Sequence, residues 1–373
     1  YFNFFKSECL IYARFNPLYE GRYGMHRGER RADDATVTVT HSTHKLLAAL
    51  SQASMIHIRS GKVPVKPALF NEAFMMHTST SPQYSIIAST DVSAKMMNDA
   101  GGYLTDESID EAIAFRQAMV RLNKEIQERD AKDWWFGVWQ PDQIDGVPFA
   151  DIDPQVLRHG DAWVLKPAAT WHGFGDLGSD YCMLDPIKVT VLTPGQTLEG
   201  QMETSGIPAP LVSSFLSSRG IVVEKTEPYS ILLLFSLGVT KGKWGSLVAG
   251  LMEFKKHYDG NSPLAQVMPD LVDSHGDRYS DMGLKDLADE MHQDMLATKM
   301  LHNMDQAYTL LPDPVSSPRD TYAKLVKGEI EQIAVREMVG RTVAVQIVPY
   351  PPGIPLMMPG EKAGADKKAI VDY

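Results

Sequence analysis

The chain has 373 residues, 44% of them hydrophobic, and a formal net charge of −11 at pH 7, which allows two or three packed domains and disfavours a phosphate backbone or anionic membrane as main partner, since like charges repel. Cys9 and Cys182 are too few for a disulfide framework and too far apart for a metal knuckle, in keeping with a reducing cytoplasm. No run reaches the roughly 18 apolar residues of a membrane span.

The sequence opens at Tyr1, not methionine, and residues 1–5 have neither the basic flank nor the cleavage site of a leader, so a fragment is expected. Charge crowds 27–34 and predicts a loop, whereas Thr36-Val-Thr-Val-Thr40 alternates β-branched side chains and predicts a strand. His41-Ser-Thr-His-Lys45 follows, then small and apolar residues up to Ser54 and a second short strand at 55–58. Lys45 thus sits just past a strand end, where open α/β sheets carry ligand chemistry. Residues 70–76 read as a short helix or turn before Thr78-Ser-Thr-Ser-Pro82, and 84–98 carry helical spacing. A long helix is predicted over 105–129, capped by Asp106 or Ser108, with Ile109, Ile113, Phe115, Met119, Leu122 and Ile126 near one face. Trp134-Trp-Phe-Gly-Val-Trp139 reads as an aromatic strand, and short strands alternate with Gly-rich turns over 163–192. A helix over 208–219 ended by Gly220, strands over 221–225 and 229–238, and a helix over 245–257 complete an α+β pattern. Lys241 and Lys243 fall in a Gly-flanked turn, and beyond Asn261 the chain turns helical and Pro-punctuated.

A lysine that forms an imine must spend time neutral, which calls for a packed, partly desolvated setting. Lys45 has that context on paper, although a surface lysine at a strand end reads the same way. His41 and His44, with His57 and His77, allow a metal-binding reading, weakened because a strand-end loop does not align imidazoles as helical spacing does. The hydroxyls of 78–81 form a phosphate cradle or simply start a helix. Trp171-His-Gly-Phe174 is a stacking element or a packed turn. Glu224, inside an apolar stretch, receives a cationic side chain or faces solvent by alternation.

Five stretches, Thr40-His-Ser-Thr-His-Lys-Leu-Leu-Ala-Ala-Leu-Ser-Gln-Ala-Ser-Met-Ile-His57, Phe70-Asn-Glu-Ala-Phe-Met-Met-His-Thr-Ser-Thr-Ser-Pro82, Trp171-His-Gly-Phe174, Leu184-Asp-Pro-Ile-Lys-Val-Thr190 and Val348-Pro-Tyr-Pro-Pro-Gly-Ile-Pro355, together resemble the bacterial-type Orn/Lys/Arg decarboxylases of fold type I, in order and over nearly the whole chain. The resemblance implies that Lys45 carries pyridoxal 5′-phosphate, with Ser42 and His44 beside it near the phosphate and the reacting carbon, and that His44 or Lys45 returns a proton to Cα. It also implies that Thr80 and Ser81 reach the phosphate in the neighbouring subunit, so that a homodimer shares its active sites. The run 221–226 is similar to the lysine decarboxylases, in which the residue matching Glu224 meets the distal ammonium; lysine therefore ranks before arginine or ornithine. The chain departs from the family where Lys6 and Cys9 stand in place of an aspartate that pairs with the pyridine nitrogen and a tryptophan. The family's wing domain and the first half of its cofactor domain have no counterpart.

The expected fold is α/β: the remnant of an aspartate aminotransferase-like, pyridoxal-phosphate-binding domain over 1–95, an α+β small subdomain over 96–260 and a truncated α+β C-terminal domain over 261–373. The expected function is conversion of L-lysine to cadaverine and CO2 in the cytoplasm, by a homodimer or a larger assembly, with no nucleic-acid, membrane or metal partner. The alternatives are arginine or ornithine decarboxylation, and a non-catalytic or regulatory remnant that keeps the dimer surface without the chemistry.

Overall fold

The structure is a computed structural model and describes residues 10–11, 36–167, 169–175, 177–178, 182–350 and 353–373. Lys6 and Cys9 lie outside the described residues. Strand β1, Leu10–Ile11, is followed by β2, Val37–His41, whose β-branched alternation gives an antiparallel pair with β3, Met55–Arg59. Val37 stands opposite Arg59 and His41 opposite Met55. Between them lies a single helical turn, α1, Thr43–Leu46. Helix α2, Pro67–His77, begins on a proline, whose missing N–H is no loss in a first turn.

Helix α3, Tyr84–Arg129, then runs 46 residues without a break, about 70 Å at 1.5 Å per residue. The sequence predicts two helical segments here, and the structure joins them through Gly101 and Gly102. Each glycine costs about 1 kcal/mol relative to alanine in a helix interior, so packing must offset them. The second half supplies it: Ile109, Ala112, Ile113, Phe115 and Met119 are all buried, whereas Ser93 and Gly101 alone are buried earlier in the helix. Asp106 and Ser108 are consequently not caps. Ser108 is buried in mid-helix with its hydroxyl donating to the Leu104 carbonyl at 3.1 Å, and the N-cap is Gln83.

Strand β4, Gly137–Val138, is followed by a tight hairpin of β5, Gln143–Ile144, and β6, Val147–Pro148, then by helix α4, Pro154–Leu157, and β7, Met183–Leu184, which pairs with β1. Strands β8, Lys188–Leu192, β9, Lys225–Thr226, and β10, Ser230–Leu234, join β4 in an antiparallel sheet of order β4-β8-β10-β9. Strand alternation sends neighbouring side chains to opposite faces. Val189, Val191, Ile231 and Leu233 enter one core with Phe115, Phe215 and Phe254, while Leu192 and Leu232 pack on another built from Trp139, Phe149, Trp163 and Leu184. Burial on both faces explains why these strands read as nearly continuous apolar runs.

Several expected elements change length. Of 134–139 only Gly137–Val138 is strand, because Trp134 is held by side chains, edge-on to Tyr258 at 5.3 Å. Of 221–225 only Lys225 joins the ladder, since β9 lies at the sheet edge. Helix α5, Ala209–Ser217, ends as expected before Gly220 at φ +75°. Helix α6, Lys241–Asp259, starts four residues before Gly245, so Lys241 and Lys243 lie in its first turn and not in a Gly-flanked turn. All strand pairs among the described residues are antiparallel. The fold of the described residues is thus mixed helix and sheet, and no parallel strand pair of the expected α/β kind lies among them.

Short helices α7, Leu264–Val267, α8, Pro269–Ser274, and α9, Gly276–Tyr279, lead into α10, Leu284–Ala297, and α11, Met300–Thr309. His292 of α10 is buried. Its Nε2 donates to the Glu203 carbonyl at 3.1 Å, so Nδ1 accepts from the Tyr229 hydroxyl at 2.7 Å. Burial pushes the Tyr229 phenol up, which keeps it a donor. Only glycine fits beside this contact: a Cβ on Gly206 would stand 2.6 Å from both Gly195 Cα and His292 Nδ1. Strand β11, Asp313–Pro314, helix α12, Pro318–Lys327, strand β12, Glu361–Lys362, and helix α13, Ala369–Asp372, belong to a C-terminal segment with its own core of Ala307, Met338, Met357, Ala363 and Ile370.

Lys255 is the hub of a polar cluster on α6. Its Nζ donates to Asp133 at 2.5 Å and Asp259 at 2.7 Å and lies 4.6 Å from the centre of the Trp134 ring. The Lys255 hydrogen bond holds the Asp133 carboxyl below its usual range. A depressed carboxylate stabilises the fold above its unfolded pKa and loses that contribution as pH falls through the folded one. The stability advantage of the native protein over Lys255→Met is therefore expected to be largest above about pH 4 and to shrink below it. The pH-dependent part is under about 1 kcal/mol because both carboxylates are partly exposed. Thermal melts of both proteins across that range check it, and parallel pH profiles would refute it.

Candidate active site

The turn that follows β2 is built by backbone hydrogen bonds. The Lys45 N–H donates to the Ser42 carbonyl at 3.0 Å, and the His44 N–H reaches across the loop to the Ala53 carbonyl at 3.2 Å. Thr43, Ala49 and Ala53 are buried beneath it, and the small residues of this run let the loop fold back that tightly. Ala48 at φ +60° and Gln52 at φ +74° are left-handed without being glycine, which costs about 1–2 kcal/mol each. Two serines of α3 hold that strained backbone: the Leu50 N–H donates to Ser89 Oγ at 3.1 Å, and the buried Ser93 hydroxyl donates to the Leu47 carbonyl. Neither serine stands out in the sequence, because each looks like a small residue on a helix.

Lys45 and Ser42 are exposed and His44 is half-buried. His44 Nδ1 lies 2.9 Å from the Ala53 carbonyl. A carbonyl only accepts, so Nδ1 carries the proton and Nε2 is left to take or give one. Ser42 caps α1 without spending its side chain on the backbone, which leaves the hydroxyl to a ligand. Pyridoxal phosphate needs an amine for its aldehyde and donors for its phosphate, and Lys45 and Ser42 are groups of those kinds, so the residues fit.

Thr80 and Ser81 are exposed in the turn between α2 and α3, and Glu224 is exposed at the start of β9, its N–H bonded to the Leu232 carbonyl at 2.9 Å. Among the described residues no hydrogen bond or ion pair joins them to Lys45. Next to Glu224, Lys225 and Glu227 are buried and paired at 3.6 Å. The sequence pattern gives the alternation but not which face the next segment covers, so these two are not legible in it.

Of the two readings of Trp171-His-Gly-Phe174, the structure gives the packed turn. His172 is fully buried, its Nδ1 accepting from the Phe174 N–H at 3.1 Å and its Nε2 donating to the Lys166 carbonyl at 2.9 Å. Gly173 makes the bend at φ +67°, and Trp171 packs on Trp139 at 5.6 Å. The His41 and His57 rings are 4.6 Å apart, but the described residues contain no group of three or more His, Cys, Asp or Glu placed to hold a metal ion. Nor is any described helix long and apolar enough to cross a membrane.

Residues 4–243 match the Orn/Lys/Arg decarboxylase major domain and 301–373 the Orn/Lys/Arg decarboxylase C-terminal domain, so the chain belongs to that family. Within it, the chain is 50% identical over 372 residues to lysine decarboxylase LdcA of Pseudomonas aeruginosa, covering 99% of this chain and 48% of that protein. It is 44% identical over 377 residues to the biodegradative arginine decarboxylase of Escherichia coli, covering 99% and 50%. The solved structure of lysine decarboxylase A from Pseudomonas aeruginosa superposes with a TM-score of 0.85 over 95% of this chain and 46% of that one, at 50% identity. The chain spans about half the length of the curated relatives it matches.

Proposed function

We propose that this chain carries the cofactor lysine of a pyridoxal-phosphate-dependent decarboxylase that converts L-lysine to cadaverine and CO2. The observation that carries the reading is the turn at 42–45, which sets an exposed amine, an uncommitted hydroxyl and an imidazole of fixed tautomer within four residues. When bound, pyridoxal phosphate supplies the electron sink that lets a Cα carboxylate leave. Lys45 would hold the cofactor through its amine. Ser42 donates to the phosphate. His44, anchored at Nδ1, holds at Nε2 the proton that the reaction consumes at Cα. Glu224 accepts the distal ammonium, and the 50% identity to one lysine decarboxylase, against 44% to an arginine and 32% to an ornithine decarboxylase, supports lysine as the substrate.

Glu224→Gln keeps the shape and removes the charge that a distal ammonium meets. Its kcat/KM for lysine is expected to fall about 10- to 150-fold, equivalent to about 1.5–3 kcal/mol, with the visible absorbance of the bound cofactor retained. Unchanged kcat/KM would remove Glu224 from the substrate site.

In the proposed homodimer, Thr80 and Ser81 serve the phosphate site of the other subunit, in line with their exposure here. Co-expression of Lys45→Ala with a Thr80→Ala/Ser81→Ala double variant tests this. Each alone is expected to be nearly inactive, whereas the mixture recovers about a quarter of native activity, because half of the dimers are mixed and each of those regains one intact site. No recovery would place the three residues in one subunit's site.

A further inference from the structure

The two charged residues beside Glu224 are more buried than any of the proposed site residues: Lys225 is 8% and Glu227 6% exposed, with Lys225 Nζ 3.6 Å from Glu227 Oε1. They sit on the edge of the sheet. Strand β9 makes only two rungs, Lys225 opposite Leu232 and Thr226 opposite Ile231, continued by the Glu224 N–H to the Leu232 carbonyl at 2.9 Å and closed by the Glu227 N–H to the Ser230 carbonyl at 2.8 Å. So short an edge strand has little ladder to fix its direction.

Residues of the C-terminal segment pack around the pair. The Tyr350 ring centre lies 6.0 Å from Lys225 Nζ. The Tyr308 and Tyr373 rings are 5.9 Å apart, and the Tyr308 hydroxyl donates to the Ile354 carbonyl at 3.3 Å. Burial first, then Tyr373 and then the Glu227 charge push the Tyr308 phenol up, and burial followed by the Glu227 charge pushes up that of Tyr373. Adjacent residues of a strand project to opposite faces, so a hold on Lys225 and Glu227 from one face sets how Glu224 leaves the other. A buried ion pair adds little net stability over an apolar pair of similar volume, and its best-attested use is to specify one arrangement.

We propose that Lys225 and Glu227 are positioning residues, whose buried pair, set between the sheet edge and the tyrosines of the C-terminal segment, fixes the direction in which Glu224 meets the distal ammonium of a basic amino acid; this rests on the substrate reading of Glu224 given above. The test is steady-state kinetics of the holoenzyme with L-lysine for Glu227→Gln, Glu224→Gln and the double variant. Glu227→Gln is expected to raise KM about tenfold with kcat within about twofold, since a small misplacement of a binding group is enough, and to leave the cofactor absorbance intact. In the Glu224→Gln background the same change adds no further loss, because it acts through a group already removed. Lys225→Met with Glu227→Leu, a pair suited to folding without buried charge, carries the same expectation should Glu227→Gln melt early. A damaging Glu224→Gln with Glu227→Gln losses that multiply, or with a native KM for both pair variants, overturns the positioning role alone. A harmless Glu224→Gln overturns the substrate reading and this inference with it.

Discussion

Lys45→Ala is expected to abolish lysine decarboxylation and the visible absorbance of the lysine-bound cofactor together. In the proposed reading the amine takes the cofactor's aldehyde, and alanine leaves the turn intact: Thr43, Ala49 and Ala53 are the buried residues of this loop, and its hydrogen bonds are made by backbone, by His44 and by the serines of α3. The variant should therefore fold with a native melting temperature, which separates loss of chemistry from loss of structure. Removal of a covalent catalyst of this kind costs at least about 1,000-fold in kcat. Borohydride reduction of the native holoenzyme followed by peptide mapping gives a direct reading, with the pyridoxyl group on Lys45. A label on another lysine would displace the assignment, and a fully loaded native enzyme with no labelled lysine would favour the non-catalytic alternative.

Arg116→Leu is expected to destabilise the protein by about 3–5 kcal/mol. The guanidinium is fully buried where the two cores meet. It donates to the Pro186 carbonyl at 3.1 Å, the Trp139 carbonyl at 3.1 Å, Gln140 Oε1 at 3.3 Å and the Lys188 carbonyl at 3.0 Å, and lies 5.2 Å from the centre of the Trp163 ring. Leucine fills part of the volume and leaves these acceptors without their donor, each at a cost of about 1–3 kcal/mol. Burial raises the nearby Asp185 carboxyl, and the Arg116 charge is among those that oppose the rise, so the substitution also removes an electrostatic counterweight. Arg116→Lys should recover only part of the loss, since one ammonium cannot reproduce a planar fork. Equilibrium urea denaturation measures both. A loss under about 1 kcal/mol for leucine would mean that water or other donors replace the guanidinium.

The contrast between these two residues shows where sequence is informative. Lys45 is legible because its signal is local: a β-branched strand, a dense polar run and small residues lie within about one loop's length, and the structure keeps that order. Arg116 looks like any charged residue on an amphipathic helix, because its acceptors are 23 to 72 residues away and mostly backbone. Element boundaries fail for the same reason. The cap-like Asp106 and Ser108 read as a helix start, and only the long-range burial of 109–119 overrides them. Glu224 was readable as a residue of interest through its family motif, while Lys225 and Glu227 were hidden because a strand's period does not say which face a later segment will cover.

Helix α3 has a mechanical side. Ser89 and Ser93 grip the loop that bears Lys45, while residues 109–119 are embedded in the two cores, so a single rod carries the loop at one end and is clamped at the other. From Ser93 to Arg116 the free and clamped parts are separated by about 35 Å of axial rise. Gly101 and Gly102 lie near mid-span, where embedding begins, and the Thr105 hydroxyl braces their carbonyls at 2.8 and 3.1 Å. The compliance of this cantilever is thus concentrated at two residues without side chains, and a few degrees of flexure there would displace the Lys45 loop through the full length of the lever.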